Sequence, residues 1–181
     1  LNRSNGGVSV TVSSAQTITN SLTLLDGILD NPSGNLTVNS GATITKSSNA
    51  TITSAAPSGG PWNLVYNGAT QPTGLEIPAS GILSSLTIDV NNASAVNLSQ
   101  SIIVQNAFSI LNTGRTFTSG SNSVTLGSYS SAGTFNAPSA AAVSGLTVSG
   151  NFANNGTYNR NSGLVTFNGT TNLSGTSQTT F

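Results

Sequence analysis

Short runs in which apolar and polar residues alternate recur along the whole chain, and they constrain its fold more than any other feature. Alternation with a period of two is typical of a short β-strand that buries one face. Gly, Asn and Ser separate the runs and favour turns. No helical periodicity of useful length is present, so the sequence predicts an all-β protein. The clearest runs are VSVTV at 8–12, LTVNSGATIT at 36–45, LTIDV at 86–90, SVTLG at 123–127, LTVSG at 146–150 and LVTFNG at 164–169.

Two phrases repeat within the chain. One ends in Leu-Thr-Val or Leu-Thr-Ile and occurs as GNLTV from 34, SSLTI from 84 and SGLTV from 144. The other is Gly-Thr-aromatic-Asn, which begins at Gly133 and again 23 residues later at Gly156. Spacings in the twenties are typical of repeat units that must stack to bury a core. We therefore predict a parallel β-solenoid (β-helix) of stacked short strands, with a β-sandwich as the alternative.

The aromatic residues bear on this choice of fold. Six Phe, three Tyr and one Trp are spread among small residues along the sequence. A β-sandwich would concentrate such residues in one core between its sheets. We expect instead a thin core made of stacked Val, Ile, Leu and Phe, which favours the solenoid.

The polar residues of the chain are almost all uncharged. Its 181 residues include 30 Ser, 25 Thr and 23 Asn, but only eight Lys, Arg, Asp and Glu in total, where soluble domains have about a quarter. A surface of hydroxyls and amides stays hydrated at any pH or ionic strength, which suits an extracellular or cell-surface location. The formal net charge is zero, so no basic stripe is available for nucleic acid. No apolar run has the length of a membrane helix, and we expect no membrane insertion.

Residues 56–78 interrupt the alternating pattern. This segment contains four of the six prolines, the only Trp and the only Glu. Proline cannot donate a hydrogen bond to a central β-ladder. We therefore predict a proline-rich junction that ends an N-terminal β-repeat segment, residues 1–80, and precedes a C-terminal β-repeat segment, residues 81–181.

Few side chains can carry out acid–base chemistry or bind a metal. The chain has no His and no Cys, and its carboxylates are those of Asp26, Asp30, Glu76 and Asp89. Zn²⁺ favours Cys and His ligands, and Ca²⁺ favours several carboxylates in one loop. We expect no catalytic residue, no metal site and no cofactor. The sequence therefore predicts a protein that is not an enzyme.

Trp62 and Tyr66 form a pair of aromatic residues with two interpretations. They lie four residues apart in WNLVY, so an extended backbone places them on one face. On an exposed face they would form a platform that stacks against surface glycans. On an internal face they would cover the end of a core beside the prolines. The sequence leaves both interpretations open.

Alternating runs reach both ends of the sequence without a polar cap. Solenoids usually hide their end strands with caps, charges or helices. We expect either that the chain belongs to a longer repeat array or that its end strands meet those of other copies, head to tail. Such a non-closing contact generates a filament. The candidate assembly edges are Val8, Val10, Val12, Val165, Phe167 and Phe181.

Two stretches carry a resemblance to known proteins: SSLTIDVNNASAVNLSQSIIVQNAFSILNTGRTFTSGSNSVTLGS at 84–128 and GLVTFNGTTNLSGTSQTTF at 163–181. They resemble the repeats of large bacterial secreted surface proteins, in particular β-helical adhesins and autotransporter passengers of Bacteroidetes-like bacteria. The resemblance implies a β-helix and an extracellular or cell-surface location. The leading hypothesis is an extracellular structural protein that self-assembles into a filament, fibre or surface layer. A cell-surface adhesin module that binds glycans is the alternative.

Overall fold

The structure is a computed structural model that describes residues 8–139 and 145–181. These residues form β-strands and no helix. The first ten strands are β1 (Ser9–Thr11), β2 (Gln16–Ile18), β3 (Ser21–Asp30), β4 (Leu36–Val38), β5 (Thr43–Thr53), β6 (Ser58–Gly59), β7 (Asn63–Gly68), β8 (Gln71–Pro72), β9 (Ile82–Leu83) and β10 (Ser85–Val90). The following ten are β11 (Ser94–Asn97), β12 (Ile102–Ile110), β13 (Arg115–Thr118), β14 (Val124–Ser131), β15 (Thr134–Asn136), β16 (Gly145–Val148), β17 (Phe152–Asn154), β18 (Thr157–Asn159), β19 (Leu164–Phe167) and β20 (Leu173–Ser174).

All strand pairs in the described part of the chain are parallel. A 5-stranded sheet has the order β18-β15-β13-β11-β8, a 3-stranded sheet has the order β2-β4-β6, and the other strands form a 12-stranded sheet. The chain visits these sheets in turn and winds a parallel β-solenoid of about 7 turns. The solenoid prediction is confirmed. The β-sandwich alternative is wrong, because it requires antiparallel sheets.

Alternation along each strand separates the core from the surface. Side chains at every second position point inward and stack on the equivalent side chains of the next turn. One internal ladder, fully buried, consists of Ile44, Leu64, Leu86 and Phe108. The outward ladder beside it consists of Thr45, Val65, Thr87 and Ser109. Aliphatic burial inside and hydroxyls outside therefore explain both the alternation and the shortage of charged residues.

The aromatic residues are concentrated instead of spread, which corrects the expectation of a thin core. Rings that are distant in sequence meet inside the C-terminal turns. Tyr129 and Phe152 stack with their centroids 4.2 Å apart, and Phe135 and Tyr158 stack at 5.8 Å. This cluster could not be recognised in the sequence, because each turn supplies only one or two of its rings. The buried members are Phe108, Phe117, Tyr129, Phe135, Phe152 and Tyr158.

The repeated phrase Gly-Thr-aromatic-Asn marks one turn of the solenoid. Thr134–Asn136 in β15 pairs residue for residue with Thr157–Asn159 in β18. The aromatic residue of each copy points inward, and Nδ2 of Asn159 donates to Oδ1 of Asn136 over 2.7 Å on the outside. The spacing of 23 residues is therefore the length of one turn at this point.

Strand pairing changes within the proline-rich segment. The first half of β5 pairs with β7, and β7 pairs with β10. The second half of β5 pairs with β3, and no other described strand pairs with it. Residues 72–74 line a cavity together with Ala50 and Thr51 of that half. In the described part of the chain, a hydrophobic core cluster runs through both sides of the segment. The division into residues 1–80 and 81–181 stays a prediction.

The buried tyrosines predict a loss of stability at alkaline pH. Burial raises the pKa of Tyr66, Tyr129 and Tyr158, in the last case to about 12. A tyrosine in the unfolded chain loses its proton near pH 10, whereas the folded protein keeps that proton. The contribution of the tyrosines to the free energy of unfolding should therefore be steady below about pH 10 and fall as the pH rises toward the folded-state pKa. Lys46 as a free amine would act below that range, since burial lowers its pKa, and would add stability as the pH rises toward about 10.

Urea unfolding midpoints between neutral pH and about pH 11 test this prediction. The matched control is Tyr158→Phe, since the Tyr158 hydroxyl is buried without a hydrogen-bond partner. This variant should unfold like the wild type at neutral pH and lose less stability at alkaline pH. Equal alkaline losses in the two proteins would contradict the assignment to tyrosine.

Candidate functional site

One end of the solenoid is formed by β1. The residues on either side of β1 bond to β3. The carbonyl oxygen of Val8 accepts from the N–H of Ile28 over 2.9 Å, and the N–H of Val12 donates to the carbonyl oxygen of Asp30 over 2.8 Å. Since the hydrogen bonds of a parallel ladder alternate along a strand, Ser9 and Thr11 direct their N–H and C=O groups away from β3. No other described strand pairs with β1. Of the predicted edge residues, Val12 is buried, whereas Val8 and Val10 are partly exposed.

The other end is formed by β19 and the residues that follow it. β19 pairs with β16 and is the last strand in its order. Val165 and Phe167 are half-buried against the core. Phe181 is 39% exposed and packs edge-on against Phe167, with ring centroids 5.1 Å apart. The structure thus brings the predicted edge residues into two groups, one at each end of the solenoid.

Each end carries a cavity lined by residues of the last turns. The cavity at the β1 end has a volume of about 290 Å³ and is lined by Val10, Ile18, Leu22, Leu29 and other residues. The cavity at the β19 end has a volume of about 250 Å³ and is lined by residues that include Phe152, Leu173 and Phe181. Among these lining residues, Val10 and Ile18 are partly exposed at one end and Leu173 and Phe181 are exposed at the other, whereas Leu22, Leu29 and Phe152 are buried.

Trp62 and Tyr66 do not form an exposed platform, which corrects the interpretation of these residues as a glycan-binding surface. Both are 0% exposed. Nε1 of Trp62 donates to the backbone carbonyl of Glu76 over 3.1 Å, and Oη of Tyr66 donates to Oε1 of Glu76 over 2.5 Å. The strand alternation that places the two rings on one face also turns that face inward. They cover the core beside the prolines, as the other interpretation expected.

A cluster of buried polar residues lies next to these rings. Glu76 is 0% exposed, and its Oε1 accepts hydrogen bonds from Tyr66 and, over 2.7 Å, from the backbone N–H of Gly74. Its Oε2 is buried without a hydrogen-bond partner. Lys46 is 5% exposed and donates from Nζ to Oε1 of Gln71 over 2.8 Å. Buried charges of this kind are rare unless they are paired.

The two charges of this cluster act on each other without forming an ion pair. In the described residues the ion pair within 4.0 Å is that of Arg115 and Asp89, at 2.7 Å. Burial lowers the pKa of Lys46, and the negative charge of Glu76 opposes this shift. Burial raises the pKa of Tyr66, and the charge of Glu76 adds to that rise. Lys46 and Glu76 both line a cavity of about 270 Å³.

The remaining carboxylates have local partners. Oδ1 of Asp26 accepts from the backbone N–H of Gly27 over 2.8 Å, and Oδ1 of Asp30 accepts from the hydroxyls of Thr53 and Ser54. No group of three or more His, Cys, Asp or Glu residues that could hold a metal ion is found among residues 8–139 and 145–181. No helix in those ranges is long and apolar enough to cross a membrane.

Sequence reasoning missed the cluster of Lys46, Gln71 and Glu76. The only signal was that the single glutamate of the chain, Glu76, lies within the proline-rich segment and the single lysine, Lys46, lies ten residues before it. Contact between Lys46 and Gln71 depends on how the turns stack, and the change in strand pairing made that stacking unpredictable from spacing.

Comparisons with protein-family models, with curated proteins and with solved structures gave no match. Proposals about function therefore rest on the geometry of the two ends and of the buried cluster.

Proposed function

We propose that the protein is an extracellular structural protein whose copies associate head to tail into a filament, fibre or surface layer. The observation that carries this proposal is that β1 at one end and β19 at the other each have an edge with which no other described strand pairs. A strand edge that exposes its N–H and C=O groups is a template for another strand. All described strand pairs are parallel, so β19 of one copy can pair with β1 of the next copy in the same parallel arrangement.

The side chains at the two ends support the same contact. Val10 at one end and Val165 and Phe167 at the other are apolar, point toward the core and are only half-buried. Leu173, which pairs with the buried Phe152, is 55% exposed. Joining the ends would continue the internal ladders from one copy to the next and remove this apolar surface from water. The contact uses two different surfaces, so it does not close on itself and yields a filament.

The composition supports an extracellular location. Most outward positions carry hydroxyls and amides, and the chain has no cysteine. Such a surface does not depend on the redox state of its compartment and responds little to salt. Stability then comes from backbone ladders and the stacked core, which are properties of a structural protein.

The Thr11→Pro variant tests the head-to-tail contact. The N–H of Thr11 points away from β3, so proline removes a donor from the free edge and keeps the bonds within the subunit. We expect the concentration for half-maximal association to rise about tenfold or more, since about 1.4 kcal/mol corresponds to tenfold. Sedimentation velocity over a concentration series measures this shift.

Thr11→Ala is the matched control, because it shortens the same side chain and keeps the backbone donor. It should associate like the wild type. Unchanged association in Thr11→Pro, with the fold verified by circular dichroism, would overturn the proposal that β1 forms the contact.

A further inference from the structure

Lys46 and Gln71 meet because the turns of the solenoid stack, although they are 25 residues apart in the chain. Nζ of Lys46 lies 2.8 Å from Oε1 of Gln71, and Nε2 of Gln71 donates to the backbone carbonyl of Asn67 over 2.6 Å. These two hydrogen bonds fix the carboxamide beside the amine. We propose that the two side chains join through an isopeptide bond between Nζ of Lys46 and Cδ of Gln71.

The surroundings of Lys46 favour its amine as a nucleophile. The side chain is 5% exposed, and its carboxamide partner is 2% exposed. Removing an amine from water favours its neutral, nucleophilic form. Holding amine and carboxamide in contact also replaces an encounter between two molecules with a reaction inside one, which accelerates amide chemistry by many orders of magnitude.

The reaction balances without an oxidant, a reductant or a co-reactant. The bond between Nζ and Cδ forms, and the bond between Cδ and Nε2 of Gln71 breaks. Two protons leave the ammonium group of Lys46 and end on the departing nitrogen, which leaves as an ammonium ion. The sum of charges is unchanged.

Glu76 supplies the route for these protons. Its Oε2 is buried and has no hydrogen-bond partner, so it has free acceptor capacity. Glu76 lines the same cavity of about 270 Å³ as Lys46, and one water in that cavity can connect a carboxylate with an amine. The cavity also gives the ammonium ion a way out.

The position of the bond has a structural reason. Lys46 lies near the end of the part of β5 that pairs with β7, and the part of β5 after Ser47 has no described ladder partner on that side. A covalent bond from Lys46 in β5 to Gln71 in β8 would hold two turns together beside this gap. It would also give a chain without cysteine a covalent cross-link. This inference does not depend on association between copies.

Mass spectrometry of the folded, purified full chain tests the proposal. The expected mass is lower than that of the sequence by one ammonia molecule. Trypsin should fail to cleave after Lys46, so residues 4–115 should remain one peptide, because no other Lys or Arg lies between Arg3 and Arg115. The mass of this peptide should be lower than its sequence mass by one ammonia molecule. Lys46 is the only lysine, so Lys46→Met should show the full mass calculated for its own sequence.

Two further variants separate the chemistry from the fold. Glu76→Gln should slow the loss of ammonia at least tenfold in samples followed from synthesis onward. Tyr66→Phe removes a hydrogen bond from the same carboxylate but keeps the carboxylate, and it should still cross-link. If Glu76→Gln forms the bond at the wild-type rate, the role of Glu76 is wrong.

Two results would overturn the bond itself. One is a wild-type chain at full mass whose Lys46 reacts with an amine reagent in denaturant. The other is a loss of ammonia that persists in Lys46→Met, because it would have to arise elsewhere, for example by cyclisation of an asparagine. Neither readout requires a variant to fold.

Discussion

The Phe135→Ala variant should lose about 3–5 kcal/mol of unfolding free energy, the cost typical of a buried Phe replaced by Ala. Phe135 is 0% exposed. Its ring lies 5.3 to 5.8 Å, between centroids, from those of Phe108, Phe117, Tyr129 and Tyr158. Truncation removes all four contacts and leaves a cavity between stacked turns that backbone ladders prevent from collapsing. A domain of this size has a total stability of only about 5–15 kcal/mol, so the loss is a large share.

Urea unfolding followed by circular dichroism measures this loss. Leu164→Ala is the control, since Leu164 is 66% exposed and its truncation should cost less than about 1 kcal/mol. Similar losses in the two variants would contradict the aromatic cluster as the centre of stability in the C-terminal turns.

The Gly156→Val variant should be destabilised by about 3 kcal/mol or more, at the upper end of the costs of overpacking. A Cβ atom at this position would overlap the carbonyl oxygen of Gly133 and approach the carbonyl carbon and oxygen of Ala132 to 2.7 and 2.8 Å. These are backbone atoms of the turn below, so no side chain can move aside. The close approach explains why the repeated phrase begins with glycine.

The neighbouring Thr157→Val substitution is the matched control for Gly156→Val. Thr157 is exposed at the start of β18, and Val keeps its branched shape and β-propensity. Its effect on the urea midpoint should stay within about 0.5 kcal/mol. If Gly156→Val unfolds at the wild-type urea midpoint, the distance between the two turns at this position must be larger than it is in the structure.

The architecture could be predicted from the sequence because each turn of a solenoid repeats the same local constraints. Alternating runs such as LTIDV in β10 became strands with one buried face. The spacing between Gly133 and Gly156 became the length of one turn. In a parallel stack, equal positions in successive turns lie in register, so local alternation and the repeat length together determine the fold.

The candidate sites could not be predicted in the same way, because they depend on contacts between turns of unequal length. Lys46 contacts Gln71 after 25 residues, whereas Asn63 pairs with Ser85 after 22. No single repeat length in the sequence predicts both contacts. The burial of Trp62 depends on which way its strand faces, and alternation alone gives only the side that Trp62 and Tyr66 share. The clustering of the rings likewise follows from the stacking of turns.

Electron microscopy of the purified, untagged chain tests most directly the central claim that copies associate head to tail. We expect unbranched filaments whose axial repeat matches the about 7 stacked turns of one copy, which is about 34 Å at about 4.8 Å per turn. Thr11→Pro should give short single particles at the same concentration. Dispersed single particles of the wild type over the whole concentration range would contradict the claim.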